Sequence, residues 1–144
     1  EAPDDERIVG EPLVARMERC GALPPGSLLA HCVHLSRDEL ARVDGAGAWI
    51  AHPPRSNMNN AVGHAPLEWF GFRTVLGTDG IGADMLAELQ AGCLRARESP
   101  HPWDPARYLQ ALAAGATFAG GHLGVYLGRI EAGPITGQVA PSSI

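Results

Sequence analysis

The sequence predicts an α/β fold in which strand–helix units build part of a TIM (β/α)8 barrel. Three short apolar runs, at residues 27–31, 48–51 and 72–78, end at or next to a polar, titratable residue and lead into loops. Helical patterns alternate with these runs, and such alternation with short connections is typical of a parallel sheet with right-handed crossovers. Three strands do not close a barrel, and a complete one takes about 250 residues. We therefore expect the 144 residues to supply part of one.

Two helices are predicted around the first strand. Residues 8–20 place apolar side chains on one helical face, and Pro12 marks either the start of this helix or a kink in it. Ser36 and Glu39 form a capping box, in which each side chain satisfies backbone N–H groups of the first turn. The helix that they open is predicted to run to about residue 44.

The middle of the chain is predicted to be irregular before the third strand and helical after it. Residues 53–65 show no helical period and are expected to form a loop, whereas residues 66–70 suit one short helical turn. The clearest helical pattern runs from residue 85 to about residue 97. Its predicted apolar face contains Leu86, Leu89 and Cys93.

The end of the chain is predicted to hold one more helix and then a tail. Asp104 is placed as the N-cap and Pro105 as the first helical residue of a helix that ends near residue 114. The glycine-rich sequence from residue 115 onward is expected to be loose. We accordingly assign residues 1–120 to the barrel portion and residues 121–144 to a loose tail.

Composition and charge narrow the expected partners and location. The net charge is −5 and no basic run occurs, which argues against nucleic acid. No apolar stretch reaches membrane-spanning length and no signal-peptide pattern is visible, although the start at Glu1 indicates a cut N-terminus. The three widely spaced cysteines indicate reduced thiols. We expect a cytoplasmic protein with a small-molecule substrate, without nucleic-acid or membrane partners, and leave a homo-oligomer open.

The candidate functional residues stand where the predicted strands end. His31, His52 and Asp79 lie at the carboxyl ends of the three runs, where parallel α/β folds place their chemistry. Asp79 suits the N-cap of the next helix equally well, and His52, which precedes Pro53, is expected to orient a loop. The loop after the second strand adds residues that suit either substrate contact or turn hydrogen bonds, namely Arg55, Ser56, Asn57 and His64.

Three motifs carry a resemblance to a known family. They are LAHCVHL at residues 29–35, AHPPRSNMNNAVG at residues 51–63 and LGTDGIGADM at residues 76–85. On these motifs the sequence resembles the amidohydrolase superfamily, and within it the chlorohydrolase/aminohydrolase branch. The resemblance covers roughly residues 10–120.

The resemblance implies a metal-dependent hydrolase that acts on carbon–nitrogen bonds other than peptide bonds. The implied fold is a distorted TIM barrel to which this chain contributes strands six, seven and eight. His31 would face the substrate and the activated water at the end of strand six. Asp79 would bind a divalent metal ion, zinc in preference to iron, and handle the proton of the water. Arg55, Asn57 and His64 would contact the substrate.

The sequence departs from the family where further metal ligands are expected. The family's His-x-His pair of strand one and its strand-five histidine have no counterpart in this sequence. We therefore expect a fragment of an amidohydrolase that is inactive alone, with the inner faces of its strands open. Two alternatives to an enzyme remain. One is a catalytically incomplete fragment, either a truncated gene product or a scaffold that needs a complementary piece. The other is a non-catalytic, flavodoxin-like α/β binding domain, although no glycine-rich phosphate loop follows the first strand.

Overall fold

The computed structural model describes residues 10–124 and residue 126. Within them, three strands and five α-helices alternate along the chain, with one turn of 3-10 helix at Leu67–Trp69. The helices are α1 (Leu13–Arg19), α2 (Arg37–Gly45), α3 (Pro54–Asn59), α4 (Met85–Ala96) and α5 (Pro105–Leu123). None of these helices is both long and apolar enough to cross a membrane.

The strands form one small parallel sheet in the order in which they occur along the chain. They are β1 (Leu28–Ala30), β2 (Trp49–His52) and β3 (Thr74–Leu76). Ile50 is the partner of Leu29 on one side and of Thr74 on the other. This sheet confirms the predicted α/β class and is consistent with part of a barrel, and it brings the carboxyl ends of all three strands to one edge.

Several helix ends follow local sequence signals. Helix α1 begins at Leu13 directly after Pro12, so the proline marks the start of the helix and not a kink. The predicted capping box of α2 is present, because the Ser36 side chain accepts a hydrogen bond from the Glu39 N–H and the Glu39 side chain accepts one from the Ser36 N–H. Asp104 caps α5 through the backbone N–H of Arg107.

Helix α3 corrects the prediction that residues 53–65 form a loop. Pro54 occupies its first turn, where a missing N–H group costs nothing. The buried residues of the helix are Pro54, Ser56 and Asn57. Because the helix buries polar side chains where an apolar stripe would be expected, hydrophobic periodicity gave no signal for it.

Helix α5 extends nine residues beyond the predicted end near residue 114. Its second half packs on the sheet, and the ring of Phe118 lies 5.2 Å from the ring of Trp49. Packing of this kind outweighs the low helix propensity of glycine. The helix ends at Gly124, whose φ of 66° gives the left-handed C-cap that glycine favours. The expected loose tail is therefore wrong for residues 115–123, and its later part lies outside the described residues.

Helix α4 confirms its predicted bounds, and its predicted apolar face is confirmed in part. Leu89 and Cys93 pack against the core, whereas Leu86 is 69% exposed. The most deeply buried residues of the helix lie beside this face, at Glu88, Gly92 and Ala96. The reason is that a buried ion pair of Glu88 and a close approach at Gly92 occupy the inner side of this helix. Neither feature can be read from the apolar pattern of the sequence.

The core lies between the sheet and the helices, and α5 closes much of it. All three residues of β3 are buried. Side chains alternate along a strand, so Trp49 and His52 lie on opposite faces of β2, and α5 contacts both, through Phe118 and Tyr108. The expectation of open inner strand faces is thus wrong for β3, because the extended helix covers it, whereas Leu28 of β1 remains 47% exposed.

Candidate active site

The structure brings His31 and Asp79 together across the end of the middle strand. His31 follows β1, Asp79 follows β3, and the Nε2 atom of His31 lies 3.7 Å from the Oδ2 atom of Asp79. Their side chains are 39% and 45% exposed, so both reach solvent at the carboxyl edge of the sheet. A small molecule approaching this edge can therefore contact both side chains.

The backbone at both residues is in the left-handed region. The φ angles are 65° at His31, 51° at Cys32 and 49° at Asp79. Among the described residues, Ala61 is the one other non-glycine residue with positive φ. A non-glycine residue in this region costs about 1–3 kcal/mol, and such residues concentrate at functional sites. The strain thus coincides with the predicted catalytic positions.

Asp79 does not cap the helix that follows it. That role belongs to Asp84, whose Oδ1 atom accepts hydrogen bonds from the backbone N–H groups of Leu86 at 3.1 Å and Ala87 at 2.9 Å. The capping interpretation of Asp79 is therefore wrong, because a second aspartate five residues later satisfies the helix terminus. The carboxylate of Asp79 remains available at the site.

A buried serine holds one oxygen of Asp79. The Ser56 hydroxyl donates a hydrogen bond of 2.5 Å to Oδ2 of Asp79 and accepts one of 3.3 Å from the side chain of Asn60. The hydrogen bond from Ser56 is the main cause that lowers the pKa of the Asp79 carboxyl, with help from the backbone N–H of Gly80 and the nearby His31. Asp79 is therefore held as a carboxylate, with Oδ2 fixed.

A buried asparagine orients the ring of His31. The Oδ1 atom of Asn57 lies 2.8 Å from Nδ1 of His31, and Asn57 is almost fully buried. An amide oxygen can only accept a hydrogen bond, so Nδ1 carries the proton. In the neutral ring this leaves a lone pair on Nε2, the atom that faces Asp79.

Arg55 points away from the opening between His31 and Asp79. Its Nε atom lies 3.3 Å from Oε1 of the fully buried Glu88, and its Nη2 atom donates a hydrogen bond to the carbonyl oxygen of Ile81. The predicted contact of Arg55 with substrate stays a prediction, and the observed contacts are internal.

His64 lies at the far end of α4 from Asp79. Its Nε2 atom is 4.0 Å from Oε2 of Glu98, which follows the last residue of the helix. A helix of 12 residues is about 18 Å long, and the first residue of α4 follows the Asp79 loop. The structure therefore keeps His64 away from Asp79, although His64 and Asn57 line one small cavity together.

His52 points into the core, below the pair. Its ring packs among the rings of Phe70, Trp103 and Tyr108 at centroid distances of 6.1–6.3 Å. Burial, and then the charge of His31, lower the pKa of His52 to about 4. This histidine is neutral, closed off from solvent and part of the core, and its predicted role of orienting a loop stays a prediction.

Sequence reasoning missed two partners of the site. Ser56 was considered as a substrate contact and not as the partner of Asp79, and Glu88 was not considered. The only available signal for Ser56 was its place beside Asn57 in the second motif. Glu88 gave no signal, because a charged residue in a surface-type helix is ordinarily solvated.

The described residues can contribute ligands to a metal site, but they do not form a complete metal site by themselves. Among residues 10–124 and 126, no three His, Cys, Asp or Glu side chains cluster closely enough to hold a metal ion. Asp79 suits such a contribution, because carboxylate oxygen is a zinc donor and the side chain is 45% exposed at the carboxyl edge of the sheet.

A cavity of about 380 Å³ adjoins the pair on the side of β1. Asn60 and Val62 form part of its wall beside His31, and apolar side chains form most of the remainder. Its further lining residues come from α1 and from the segment around β1, and include Leu13, Met17, Leu29, Cys32, Val33, His34 and Leu35.

An exposed histidine–aspartate pair at the carboxyl ends of parallel strands places the chain in a general class, the α/β proteins whose functional residues lie at that edge of a parallel sheet. Comparison with known sequences is more specific. The sequence profile of the Amidohydrolase family matches residues 8–135. The chain belongs to the amidohydrolase family, which confirms the resemblance seen in the three motifs. This family generally uses a divalent metal ion and acts on small molecules.

Individual relatives point to one branch of the family. Proteins named 5-methylthioadenosine/S-adenosylhomocysteine deaminase match this chain in several bacteria. The protein of Syntrophomonas wolfei is 34% identical over 136 residues, which cover 86% of this chain and 31% of the relative. Those of Moorella thermoacetica and Teredinibacter turnerae are 35% and 39% identical, over 67% and 59% of this chain and 24% and 21% of the relatives. The chain thus spans less than a third of the length of these relatives.

Proposed function

We propose that the protein is a metal-dependent hydrolase of carbon–nitrogen bonds other than peptide bonds, of the aminohydrolase or deaminase kind. The observation that carries this proposal is the His31–Asp79 pair at the strand ends of a chain that belongs to the amidohydrolase family. The deaminase names of its relatives support the same reaction class.

In this proposal β1, β2 and β3 are strands six, seven and eight of the barrel. Their parallel order without a gap supports this assignment. Residues 1–120 form the barrel portion, and residues 121–144 lie beyond it. The remaining strands and the further metal ligands belong to other parts of the protein.

Asp79 is the residue that we propose as a metal ligand, with zinc favoured over iron. The Oδ2 atom of Asp79 accepts a hydrogen bond from Ser56, which holds the carboxylate in one orientation. A bound divalent metal would supply Lewis-acid chemistry that lowers the pKa of a water molecule to about 7. Imidazole and carboxylate donors are well suited to zinc.

Asp79 and His31 share the proton and substrate chemistry. The carboxylate of Asp79 takes a proton from the attacking water and delivers it to the leaving nitrogen. A carbon–oxygen bond forms, the carbon–nitrogen bond breaks, and the nitrogen departs as ammonia. The Nε2 atom of His31, fixed by Asn57 behind the ring, contacts the water or the substrate.

We propose an amino-substituted purine nucleoside as the substrate class, on the strength of the relatives' names. Of the residues predicted to contact substrate, His31 is the one that we place against it, and Asn57 supports His31. A cytoplasmic location is also part of the proposal, supported by the free thiols of Cys20, Cys32 and Cys93.

The test is deamination of 5′-methylthioadenosine and S-adenosylhomocysteine by the full-length protein, followed as ammonia release. Asp79→Asn should lower turnover about a hundredfold or more, because an amide binds metal poorly and cannot accept the proton. Asp84→Asn is the matched control, since Asp84 caps α4 outside the site. Wild-type activity and metal content in Asp79→Asn would refute the role of Asp79.

The role of His31 is tested separately. His31→Ala should depress turnover while largely sparing the metal content of the purified protein. Loss of metal in step with turnover would instead make His31 a metal ligand.

A further inference from the structure

We propose that Arg55 and Glu88 are positioning residues that hold the Asp79 turn in its working shape. This inference rests on the proposed function of Asp79. It concerns an ion pair whose carboxylate is fully buried and whose arginine side chain is 24% exposed.

The ion pair ties two helices together. Glu88 of α4 is fully buried, and its Oε2 atom accepts a 3.1 Å hydrogen bond from the backbone N–H of Arg55 in α3. Its Oε1 atom lies 3.3 Å from Nε of Arg55. The Arg55 backbone and side chain thus both engage one carboxylate.

The same guanidinium also reaches the turn that carries Asp79. Its Nη2 atom donates to the carbonyl oxygen of Ile81, two residues after Asp79. Ile81 is in turn held by its own N–H, which donates to the Thr78 carbonyl oxygen at 3.1 Å. Gly80 and Gly82 flank Ile81, and glycine gives this turn many alternative backbone conformations. A fixed donor from outside the turn selects one of them.

One turn of α3 therefore fixes both the backbone and the side chain of the site. Arg55 holds the backbone after Asp79, and the next residue, Ser56, holds the Asp79 carboxylate. A buried ion pair is weak as a source of stability, because desolvation offsets the attraction between its charges. The hydrogen bond from the Arg55 guanidinium to Ile81, with its Nε atom held beside Glu88 by charge, instead supplies direction, which a positioning role requires.

The experiment separates positioning from stability. The double variant Arg55→Met/Glu88→Leu replaces the pair with apolar side chains and should melt within about 5 °C of wild type. Its kcat on 5′-methylthioadenosine should fall about tenfold to a hundredfold with little change in KM. Amide hydrogen exchange of residues 79–82 should become faster, while exchange in β1 stays unchanged. Arg73→Met, which removes an arginine paired with Asp44 at the surface, is the matched control.

The single variant Arg55→Lys keeps the charge that faces Glu88 but loses the planar guanidinium that donates to Ile81. It should retain the melting temperature and still show lower kcat and faster exchange at residues 79–82. A folded double variant, or a folded Arg55→Lys, with wild-type kcat and wild-type exchange would overturn the inference. If the wild-type protein deaminates neither substrate, the proposed function fails, whereas the exchange measurement still decides the positioning role.

Discussion

At the scale of single residues, two neighbours in α3 define the geometry of the proposed catalytic pair. Asn57 fixes the ring of His31, and Ser56 fixes the carboxylate of Asp79. Their side chains are almost fully buried, so water does not compete for these hydrogen bonds and they set direction firmly. The reactive atoms themselves remain exposed to solvent.

Replacement of Asn57 should expose this dependence. Asn57→Leu removes the acceptor for the Nδ1 proton and frees the ring to adopt the other tautomer, so kcat should fall about tenfold to a hundredfold. The measurement is turnover together with the ¹⁵N chemical shifts of the His31 ring. The control Asn59→Leu makes the same substitution at an exposed residue of the same helix. It should change neither turnover nor the ¹⁵N chemical shifts of His31. An unaltered tautomer in Asn57→Leu would contradict the assignment.

His52 should make the protein less stable as the pH falls. Its folded pKa of about 4 lies below the value of about 6.5 for the unfolded chain, so the unfolded state binds more protons between these limits. The free energy of unfolding should therefore decrease as pH falls from about 6.5 to 4, by roughly 3 kcal/mol in total.

Urea unfolding at several pH values measures this effect. His52→Phe keeps an aromatic ring among Phe70, Trp103 and Tyr108 and has no proton to bind, so its stability should depend less on pH over this range. An equal pH dependence in wild type and His52→Phe would show that other groups cause it.

At the scale of elements, the helices fall into those that local signals specify and those that packing specifies. The capping box of α2 and the Asp–Pro start of α5 could be predicted because they act through neighbours in sequence. The second half of α5 and the whole of α3 could not be predicted. Their stability comes from contacts with the sheet and from buried polar side chains, which the local sequence does not encode.

The contact between α4 and α5 gives a test at this scale. A Cβ atom added at Gly92 would lie 2.5 Å from Cε1 of the buried Tyr108 ring, so Gly92→Ala forces the two helices apart. We expect it to lower the free energy of unfolding by about 1–3 kcal/mol.

The control for this variant is Gly115→Ala in α5, where a Cβ atom would have no neighbour within 4 Å. It should raise stability by about 0.5–1 kcal/mol, because alanine is the better helix former. The measurement is the thermal unfolding of Gly92→Ala and Gly115→Ala, each compared with wild type. Stabilisation by both would mean that the helices are not closely packed at Gly92.

At the scale of the whole molecule, the sequence predicted the arrangement of the sheet and the placement of His31 and Asp79 at its edge. Apolar runs that end in titratable residues are local signals, and parallel strands align their ends. The links from Ser56 to Asp79 and from Arg55 to Glu88 join residues 23 and 33 positions apart. No periodicity in sequence reports contacts of that kind, so only the folded structure reveals them.

The exposed strand β1 should make residues 1–144 alone associate. We also expect residues 1–144 alone to be inactive, because the family's other metal ligands have no counterpart in them. In the part of the chain that the structure describes, β1 pairs on one side only and Leu28 is 47% exposed. Such an edge invites pairing with other chains. Light scattering and calorimetry test this expectation, and a monodisperse 15.1 kDa species that unfolds cooperatively would refute it.

A pair of variants locates the association. Leu28→Lys puts a charge at the strand edge and should reduce association. Leu109→Lys changes a leucine of nearly equal exposure, 46%, on helix α5 and should leave association unchanged. If both substitutions reduce association equally, non-specific hydrophobic contact and not pairing of strand β1 causes the association.

The hydrogen bond between His122 and the Gly26 carbonyl oxygen has a consequence for the timing of folding during synthesis. The two residues are 96 positions apart, and a ribosome adding about 5–20 residues per second needs about 5 to 20 seconds to pass from one to the other. Strand β3 ends at Leu76, so for about the second half of that interval it has been made while the end of α5 that covers it has not. The nascent sheet is therefore uncovered for seconds, and that is when a chaperone or a neighbouring chain has access to it.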